Sequence, residues 1–152
     1  MWFDFDEAQI LGQLFRLDHQ YIVTDRIEKE LKSLNVPMLK KFGFQSRELT
    51  GELITELVKL RARYTGPGIA DLSALVLARG YSYPLYTRDS LLQEAANLEG
   101  VVVRESHTLL EEMIDEGILK RAEAADALAV MNSRLLTTRL DWKDMIKKWR
   151  KP

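Results

Sequence analysis

The 152-residue sequence contains no cysteine, which excludes disulfide scaffolds, thiolate zinc sites and cysteine nucleophiles. It also lacks any run of the ~18 apolar residues that a membrane-spanning helix needs. Its first residues, MWFDFDEAQ, are acidic and lack the basic region with which a secretory signal begins. We therefore expect a cytoplasmic protein without a membrane partner.

An excess of charge of one sign is also missing. The 22 Lys and Arg residues against 23 Asp and Glu residues give a net charge of −1, which does not predict nucleic-acid binding by bulk charge but leaves room for a local site. The hydrophobic fraction of 46%, with 8 Gly and 4 Pro, excludes a disordered or collagen-like chain. The length predicts one domain, since domains typically have roughly 100–200 residues.

Several catalytic signatures are absent as well. The sequence contains no serine-hydrolase elbow, no phosphate-binding P-loop and no dinucleotide glycine fingerprint. The two histidines, His19 and His107, lie far apart and lack the spacing of metal ligands. We expect both to be ordinary structural or surface residues, so the candidate chemistry has to come from carboxylates.

Apolar periodicity and turn residues predict that helices and strands alternate along the chain. Strands are predicted over 20–24, 83–87 and 101–103, with a loop or short strand over 38–42. Helices are predicted over 7–17, 25–34, 49–65, 69–79, 89–98, 107–116, 121–132 and 141–150, with Gly80 as a helix stop. This alternation predicts an α/β fold with a parallel sheet, followed by C-terminal helices.

Three acids fall at the predicted ends of strands or at the starts of the helices that follow. These are Glu30, Asp71 and Asp89. Ligands of parallel α/β sheets bind at the carboxyl ends of the strands, and Mg²⁺ prefers oxygen ligands while keeping several waters. Each acid also has a structural interpretation, because carboxylates are favoured at helix N-termini and most glutamates are simply solvated.

Four segments in this order make the chain resemble the PIN domain family. They are YIVTD at 21–25 followed by Glu30, ADLSAL at 70–75, TRD at 87–89, and the helical tail containing EAADAL at 123–128. The resemblance implies a three-layer α/β/α fold with a central, mostly parallel sheet over residues 1–132. Residues 133–152 would then form a basic amphipathic helix packed on the same domain.

The same resemblance implies a Mg²⁺- or Mn²⁺-dependent ribonuclease, similar to the toxins of type II toxin–antitoxin pairs. Glu30, Asp71 and Asp89 match the acids that hold the metal in the family, and Thr87 matches the hydroxyl residue that precedes the last acid by two positions. The implied partners are an RNA substrate, an antitoxin protein and a second copy in a homodimer. A bound divalent ion would reverse the repulsion between clustered carboxylates and an RNA phosphate.

One feature of the family is missing from this sequence, namely the opening apolar strand that ends in the first metal-binding Asp. Either the sequence starts downstream of the natural start, or Met1–Phe5 form a shortened strand with Asp4 or Asp6 as the acid, or the protein no longer cleaves RNA. Trp2 and Phe3 would then fill part of the gap, unless they form a loose apolar terminus. The alternative functions are an RNA- or protein-binding module that does not cut, and a structural subunit whose acids are helix caps.

The end of the sequence is basic. Residues 133–152 hold seven basic and two acidic residues, and their apolar residues have the spacing of an amphipathic helix. Lys143, Lys147, Lys148 and Arg150 are candidate RNA contacts. The alternative is a packed terminal helix whose cations suit the negative end of its dipole.

Overall fold

The computed structural model describes all 152 residues and contains ten helices and four short strands. The chain divides into two compact units, which we describe separately. The central unit is Gln20–Arg104, and the terminal unit combines Met1–His19 with Glu105–Pro152. The expected mixed α/β class is confirmed, and all strand pairing is parallel.

The central unit holds all four strands. Its elements in chain order are β1 (Ile22–Thr24), α3 (Asp25–Glu30), α4 (Val36–Lys41), β2 (Gln45–Arg47), α5 (Gly51–Arg63), α6 (Ile69–Tyr81), β3 (Leu85–Tyr86), α7 (Ser90–Leu98) and β4 (Val103–Arg104). β1 pairs with β2, Val23 lying opposite Ser46, and β3 pairs with β4, Leu85 lying opposite Val103. These pairs are two separate two-stranded sheets, whereas the sequence predicted one central sheet.

The strands are shorter than their apolar runs predict, for local reasons. β1 ends at Thr24 because that residue caps α3, its hydroxyl accepting a hydrogen bond from the backbone N–H of Ile27 at 3.2 Å. Pro84, inside the strand predicted over 83–87, has no N–H to give to a ladder. Each strand therefore contributes only two or three residues to its sheet.

Helix α6 is the centre of the core of this unit. It packs against α3, α5, α7, β1 and β3, and its residues Leu72, Leu75 and Val76 are fully buried. Leu57 and Leu60 of α5 and Leu92 of α7 complete the cluster, together with smaller side chains. A fully buried leucine contributes about 2 kcal/mol of hydrophobic stabilisation, so this contact layer holds the loops around α6 in place.

Gly80 was predicted to stop the preceding helix, and this prediction is wrong. The helix continues through Gly80 to Tyr81, and Ser82 takes the left-handed conformation at φ 57°. A Cβ on Gly80 would lie 2.9 Å from Cδ2 of Leu53 on α5. The glycine therefore serves close helix packing instead of the helix stop.

The loop or short strand predicted over 38–42 is also wrong, since these residues belong largely to α4. The Asn35 side chain accepts a hydrogen bond from the backbone N–H of Met38 at 3.2 Å, which satisfies a donor at the start of the helix. Pro37 lies in the first turn, where its missing N–H costs nothing. Cap and proline together start a helix that the apolar pattern did not reveal.

The terminal unit is entirely helical. It contains α1 (Trp2–Glu7), α2 (Leu11–Leu14), α8 (Ser106–Asp115), α9 (Arg121–Ser133) and α10 (Leu140–Arg150). Helix α9 packs against α1, α8 and α10. The largest fully buried side chains of this unit are those of Trp142, Phe5, Leu14, Leu109, Leu110, Met113, Leu128 and Met131.

The chain start differs from both expectations stated for it. Residues Trp2–Glu7 form a helix, so Met1–Phe5 are not a strand. Trp2 is buried and stacks on Phe15 with ring centroids 6.2 Å apart, so the start is not a loose terminus either. The single helix predicted over 7–17 is interrupted at Gln9, whose φ of 59° is left-handed.

No helix of the structure is long and apolar enough to cross a membrane.

Candidate functional site

The structure places the three predicted acids in the central unit, at different positions of their helices. Glu30 is the last residue of α3, Asp71 lies in the first turn of α6, and Asp89 is the N-cap of α7. Each helix follows a strand or a glycine-containing turn, as the sequence predicted. Thr87 comes directly after β3, and its backbone N–H donates to the carbonyl of Arg104 at 3.0 Å.

The three carboxylates are close enough to interact electrostatically. Burial of the Asp71 carboxyl, followed by repulsion from Asp89 and from Glu30, raises the pKa of Asp71 above its ordinary value. A hydrogen bond from the backbone of Gly68 acts in the opposite direction and is outweighed. Burial and like charge therefore both favour the neutral form of the Asp71 carboxyl.

No basic side chain neutralises this cluster. Elsewhere in the unit, Arg79 pairs with Glu56 at 2.7 Å and with Glu99 at 2.6 Å, and Lys40 pairs with Glu28 at 2.7 Å. None of Glu30, Asp71 and Asp89 belongs to an ion pair with Lys or Arg. The repulsion that Asp89 and Glu30 exert on Asp71 is therefore not offset by an ion pair.

The structural interpretation of the acids is also visible. Oδ1 of Asp89 accepts a hydrogen bond from the backbone N–H of Leu92 at 2.8 Å, as an N-cap does. Oδ2 of Asp71 lies 3.7 Å from the position of a Cβ on Gly68, so the start of α6 and this carboxylate are close neighbours. Capping by Asp89 uses only its Oδ1, whereas α6 begins at Gly68 and has no side-chain cap.

Thr87 is tied to its own loop. Its hydroxyl accepts a hydrogen bond from the backbone N–H of Asp89 at 3.2 Å, and its carbonyl accepts one from the Gln93 side chain at 2.9 Å. These bonds fix the turn between β3 and α7. Thr87 therefore holds Asp89 in position, which is one role for the hydroxyl residue that the sequence singled out.

A buried pair of hydroxyls, which the sequence analysis did not identify, connects two of the acid-bearing helices. Oγ1 of Thr24 and Oγ of Ser73 are 2.7 Å apart, and both residues are fully buried. Ser73 donates to the carbonyl of Ala70 at 2.5 Å, so Thr24 is the donor between the two hydroxyls. The only feature of the sequence that could have indicated this pair is a serine within the otherwise apolar face of α6.

The donor set fits a hard divalent cation only in part. Three carboxylates supply the oxygen ligands that Mg²⁺ and Mn²⁺ prefer, but no three His, Asp or Glu side chains are gathered tightly enough to form a complete cage. Mg²⁺ keeps several of its waters in proteins and needs only one or two direct carboxylates. A metal held by Glu30, Asp71 and Asp89 therefore stays a prediction.

Asp4, the further metal-ligand candidate, lies in the terminal unit. It is buried in α1, where Oδ2 is 3.4 Å from the Met1 ammonium and accepts a hydrogen bond from Ser106 Oγ at 3.3 Å. These contacts compensate the burial of its charge. Its assignment to a metal stays a prediction.

The basic residues of α10 lie on the side opposite its packing face. Trp142, Ile146 and Trp149 are buried, whereas Lys143, Lys147, Lys148 and Arg150 are exposed. Of these four cations only Arg150 forms an ion pair, with Asp126 at 3.0 Å. The helix is thus both a packed element and a carrier of free positive charge, and RNA contact stays a prediction.

Comparison with protein-family models, curated proteins and solved structures gives no significant match. The resemblance to the PIN domain therefore rests on the sequence motifs.

Proposed function

We propose that this protein is a PIN-like, Mg²⁺- or Mn²⁺-dependent endoribonuclease. The observation that carries the proposal is the cluster of Glu30, Asp71 and Asp89, which no Lys or Arg neutralises and in which repulsion contributes to the raised pKa of Asp71. Helix capping accounts for the position of Asp89 alone, and it does not account for Glu30 or Asp71. A divalent cation relieves that repulsion and attracts a phosphodiester to the same place.

The proposed reaction is the hydrolysis of an RNA phosphodiester. A bond forms between a water oxygen and phosphorus, the bond from phosphorus to the leaving oxygen breaks, and the proton lost by the water balances the proton gained by the leaving group. A bound divalent ion would supply positive charge beside the phosphate and activate the water. Asp71 and Asp89 would hold that ion, and Thr87 would keep Asp89 in place through the turn.

The three-layer α/β/α arrangement belongs to this proposal, although the four strands form two separate sheets. It is supported by the parallel direction of both strand pairs and by the helices that connect their strands. The proposal also includes the role of a toxin bound by an antitoxin protein, cytoplasmic location and homodimer formation. These finer statements rest on the resemblance to the PIN domain.

The decisive experiment measures cleavage of a 5′-labelled RNA by the purified chain with Mg²⁺, with Mn²⁺ and with EDTA. We expect cleavage that requires the metal and disappears in Asp71→Asn and Asp89→Asn. Glu94→Gln is the matched control, because Glu94 is an exposed acid of α7 outside the cluster. Cleavage that persists in both Asn variants, or in EDTA, would contradict the assignment of the site.

The alternative is a PIN-like module that binds RNA or a protein without cutting it. The incomplete cage of acids is the observation that favours this alternative. It predicts RNA binding that is the same with Mg²⁺ and with EDTA, and no cleavage under either condition. Electron paramagnetic resonance can measure Mn²⁺ binding. Binding by the wild-type chain but not by Asp71→Asn would count against this alternative.

A further inference from the structure

An exposed aromatic pair ends helix α6. The Tyr81 and Tyr83 rings stack with centroids 5.6 Å apart and an interplanar angle of 16°, and both residues are exposed, at 46% and 37%. Large aromatic side chains are usually buried because each can remove 150–250 Å² from water. Two stacked and exposed tyrosines therefore form a surface that suits a flat ligand.

The backbone holds the two rings in this arrangement. Ser82 lies between them in the left-handed conformation, and the N–H of Tyr83 donates to the carbonyl of Ala78 at 2.9 Å. This bond closes a Schellman-type helix end. A left-handed residue other than glycine costs about 1–2 kcal/mol, so the turn keeps Tyr81 and Tyr83 on one side at an energetic cost.

A cation lies beside the aromatic pair. The guanidinium of Arg47, at the end of β2, is 5.6 Å from the centroid of the Tyr81 ring, within the range of a cation–π contact. Its other contact is the Gln45 side-chain oxygen at 3.5 Å, and it forms no salt bridge with a carboxylate. Arg47 therefore keeps its full positive charge next to the ring surface.

We propose that Tyr81, Tyr83 and Arg47 form a platform on which a base of single-stranded RNA stacks, with Arg47 facing a phosphate of the same strand. Proteins that bind single strands combine aromatic rings, on which bases stack, with positive charge that follows the backbone. A protein partner would also find apolar area here, but the free guanidinium beside the rings favours the polyanion. We call these three residues the tyrosine platform.

This inference rests on the proposed function and adds a binding subsite to it, away from the carboxylates. Tyr81 lies ten residues after Asp71 on the same helix, a separation of about 15 Å along the helix axis. Because α6 is largely buried, an RNA strand that reaches both places has to extend over at least roughly four stacked nucleotides at about 3.4 Å each. The platform would thus hold the strand at a distance from the cluster of carboxylates.

The test measures the affinity of the full chain for an unstructured fluorescent RNA of about twelve nucleotides in EDTA, where cleavage is prevented. We expect Tyr81→Ala/Tyr83→Ala to weaken binding about fivefold or more. Tyr81→Phe/Tyr83→Phe should bind as the wild type does, because phenylalanine keeps the ring faces. The loss should be equal at about 50 and 200 mM salt, since stacking releases no counterions.

Two further measurements distinguish a loss of RNA stacking from a loss of folding. Arg47→Ala lies outside the helix end and should weaken binding while leaving the urea midpoint unchanged. Duplex RNA should bind the alanine double variant and the wild type equally, because its bases are not available for stacking. Binding of the single strand by the alanine double variant within about twofold of the wild type, where stacking should give at least about fivefold, overturns the platform.

The outcomes separate this inference from the proposed nuclease activity. If the wild type cleaves RNA with metal but the tyrosine-to-alanine double variant binds RNA equally well, the platform is overturned and the nuclease is supported. Tyrosine-dependent RNA binding without metal-dependent cleavage would support the platform and overturn the nuclease. A chain that neither binds RNA in EDTA nor cleaves it with Mg²⁺ or Mn²⁺ would overturn both.

Discussion

Thr24 Oγ1 and Ser73 Oγ lie 2.7 Å apart in the fully buried interior of the central unit. They form the middle of a chain in which the Ile27 N–H donates to Thr24, Thr24 donates to Ser73, and Ser73 donates to the carbonyl of Ala70. Linked hydrogen bonds of this kind polarise one another in a low-dielectric interior. The chain fixes the start of α3 relative to the first turns of α6, and thereby the backbone that carries Glu30 and Asp71.

Replacing Ser73 by Ala should destabilise the protein by about 1–3 kcal/mol, because Thr24 loses its acceptor in a buried place. The measurement is the free energy of unfolding in urea, with Ser33→Ala, an exposed serine, as the control expected to change little. A double-mutant cycle with Thr24→Val should give a coupling of about 0.5–3 kcal/mol. Additive effects of the two substitutions would show that the hydroxyls do not depend on each other.

Asp71→Asn should raise stability near neutral pH. The pKa of Asp71 is raised in the folded protein, so the folded state binds the proton more tightly than the unfolded chain does. The associated stability is fully present below the unfolded pKa of about 3.9 and is lost as the pH rises through the folded pKa. Asparagine never ionises. The variant should therefore have a higher free energy of unfolding than the wild type above the folded pKa of Asp71, and this difference should disappear in acid.

Thermal unfolding of both proteins across this pH range tests the expectation. Glu94→Gln should follow the wild type at every pH, since Glu94 is exposed. Added Mg²⁺ should stabilise the wild type and reduce the advantage of Asp71→Asn, because a ligand of the folded state stabilises it by mass action. An advantage of the variant that is the same at all pH values would show that ionisation of Asp71 is not its cause.

Trp142→Ala should be among the most damaging substitutions in the terminal unit. The side chain is fully buried, its indole N–H donates to His107 Nδ1 at 3.3 Å, and the Arg139 guanidinium lies 4.6 Å from its ring. Removing a buried tryptophan typically costs about 3–5 kcal/mol, measured by chemical denaturation. Lys143→Ala, on the exposed side of the same helix, should stay within about 0.5 kcal/mol of the wild type.

The exposed lysines of α10 should act on RNA binding through charge alone. Lys143→Ala/Lys147→Ala/Lys148→Ala should reduce the slope of log affinity against log salt by about 2 for a single strand, if all three contact phosphates. A triple variant of Lys29, Lys32 and Lys41 removes the same charge from the central unit and is the control. Equal losses in both triple variants would mean that net charge, and not α10, governs binding.

Much of the local structure followed from short stretches of sequence. A helix was predicted to begin at residue 25, and the structure shows it beginning at Asp25 behind the Thr24 cap. Asp71 in a first helical turn and a helix from residue 90 onwards followed in the same way from turn residues and apolar spacing. These features depend on neighbours within a few positions, which is why a single sequence reveals them.

The predictions were wrong where contacts with residues distant in the sequence determine the backbone conformation. Gly80 was expected to stop a helix, but its lack of a side chain is needed for the approach of Leu53. Met1–Phe5 had the composition of a strand and form a helix whose Trp2 stacks on Phe15. The apolar pattern alone does not distinguish these outcomes, because both bury the same side chains.

By itself, the sequence determined the mixed α/β class, most of the helices and the positions of Asp71 and Asp89 at the starts of helices. Only the tertiary structure brought Glu30, Asp71 and Asp89 within electrostatic reach of one another without a neutralising cation, joined Thr24 to Ser73, and stacked Tyr81 on Tyr83. The reason is physical. Helix signals are local, whereas the pKa of a carboxyl and the partner of a buried hydroxyl depend on side chains far away in the chain.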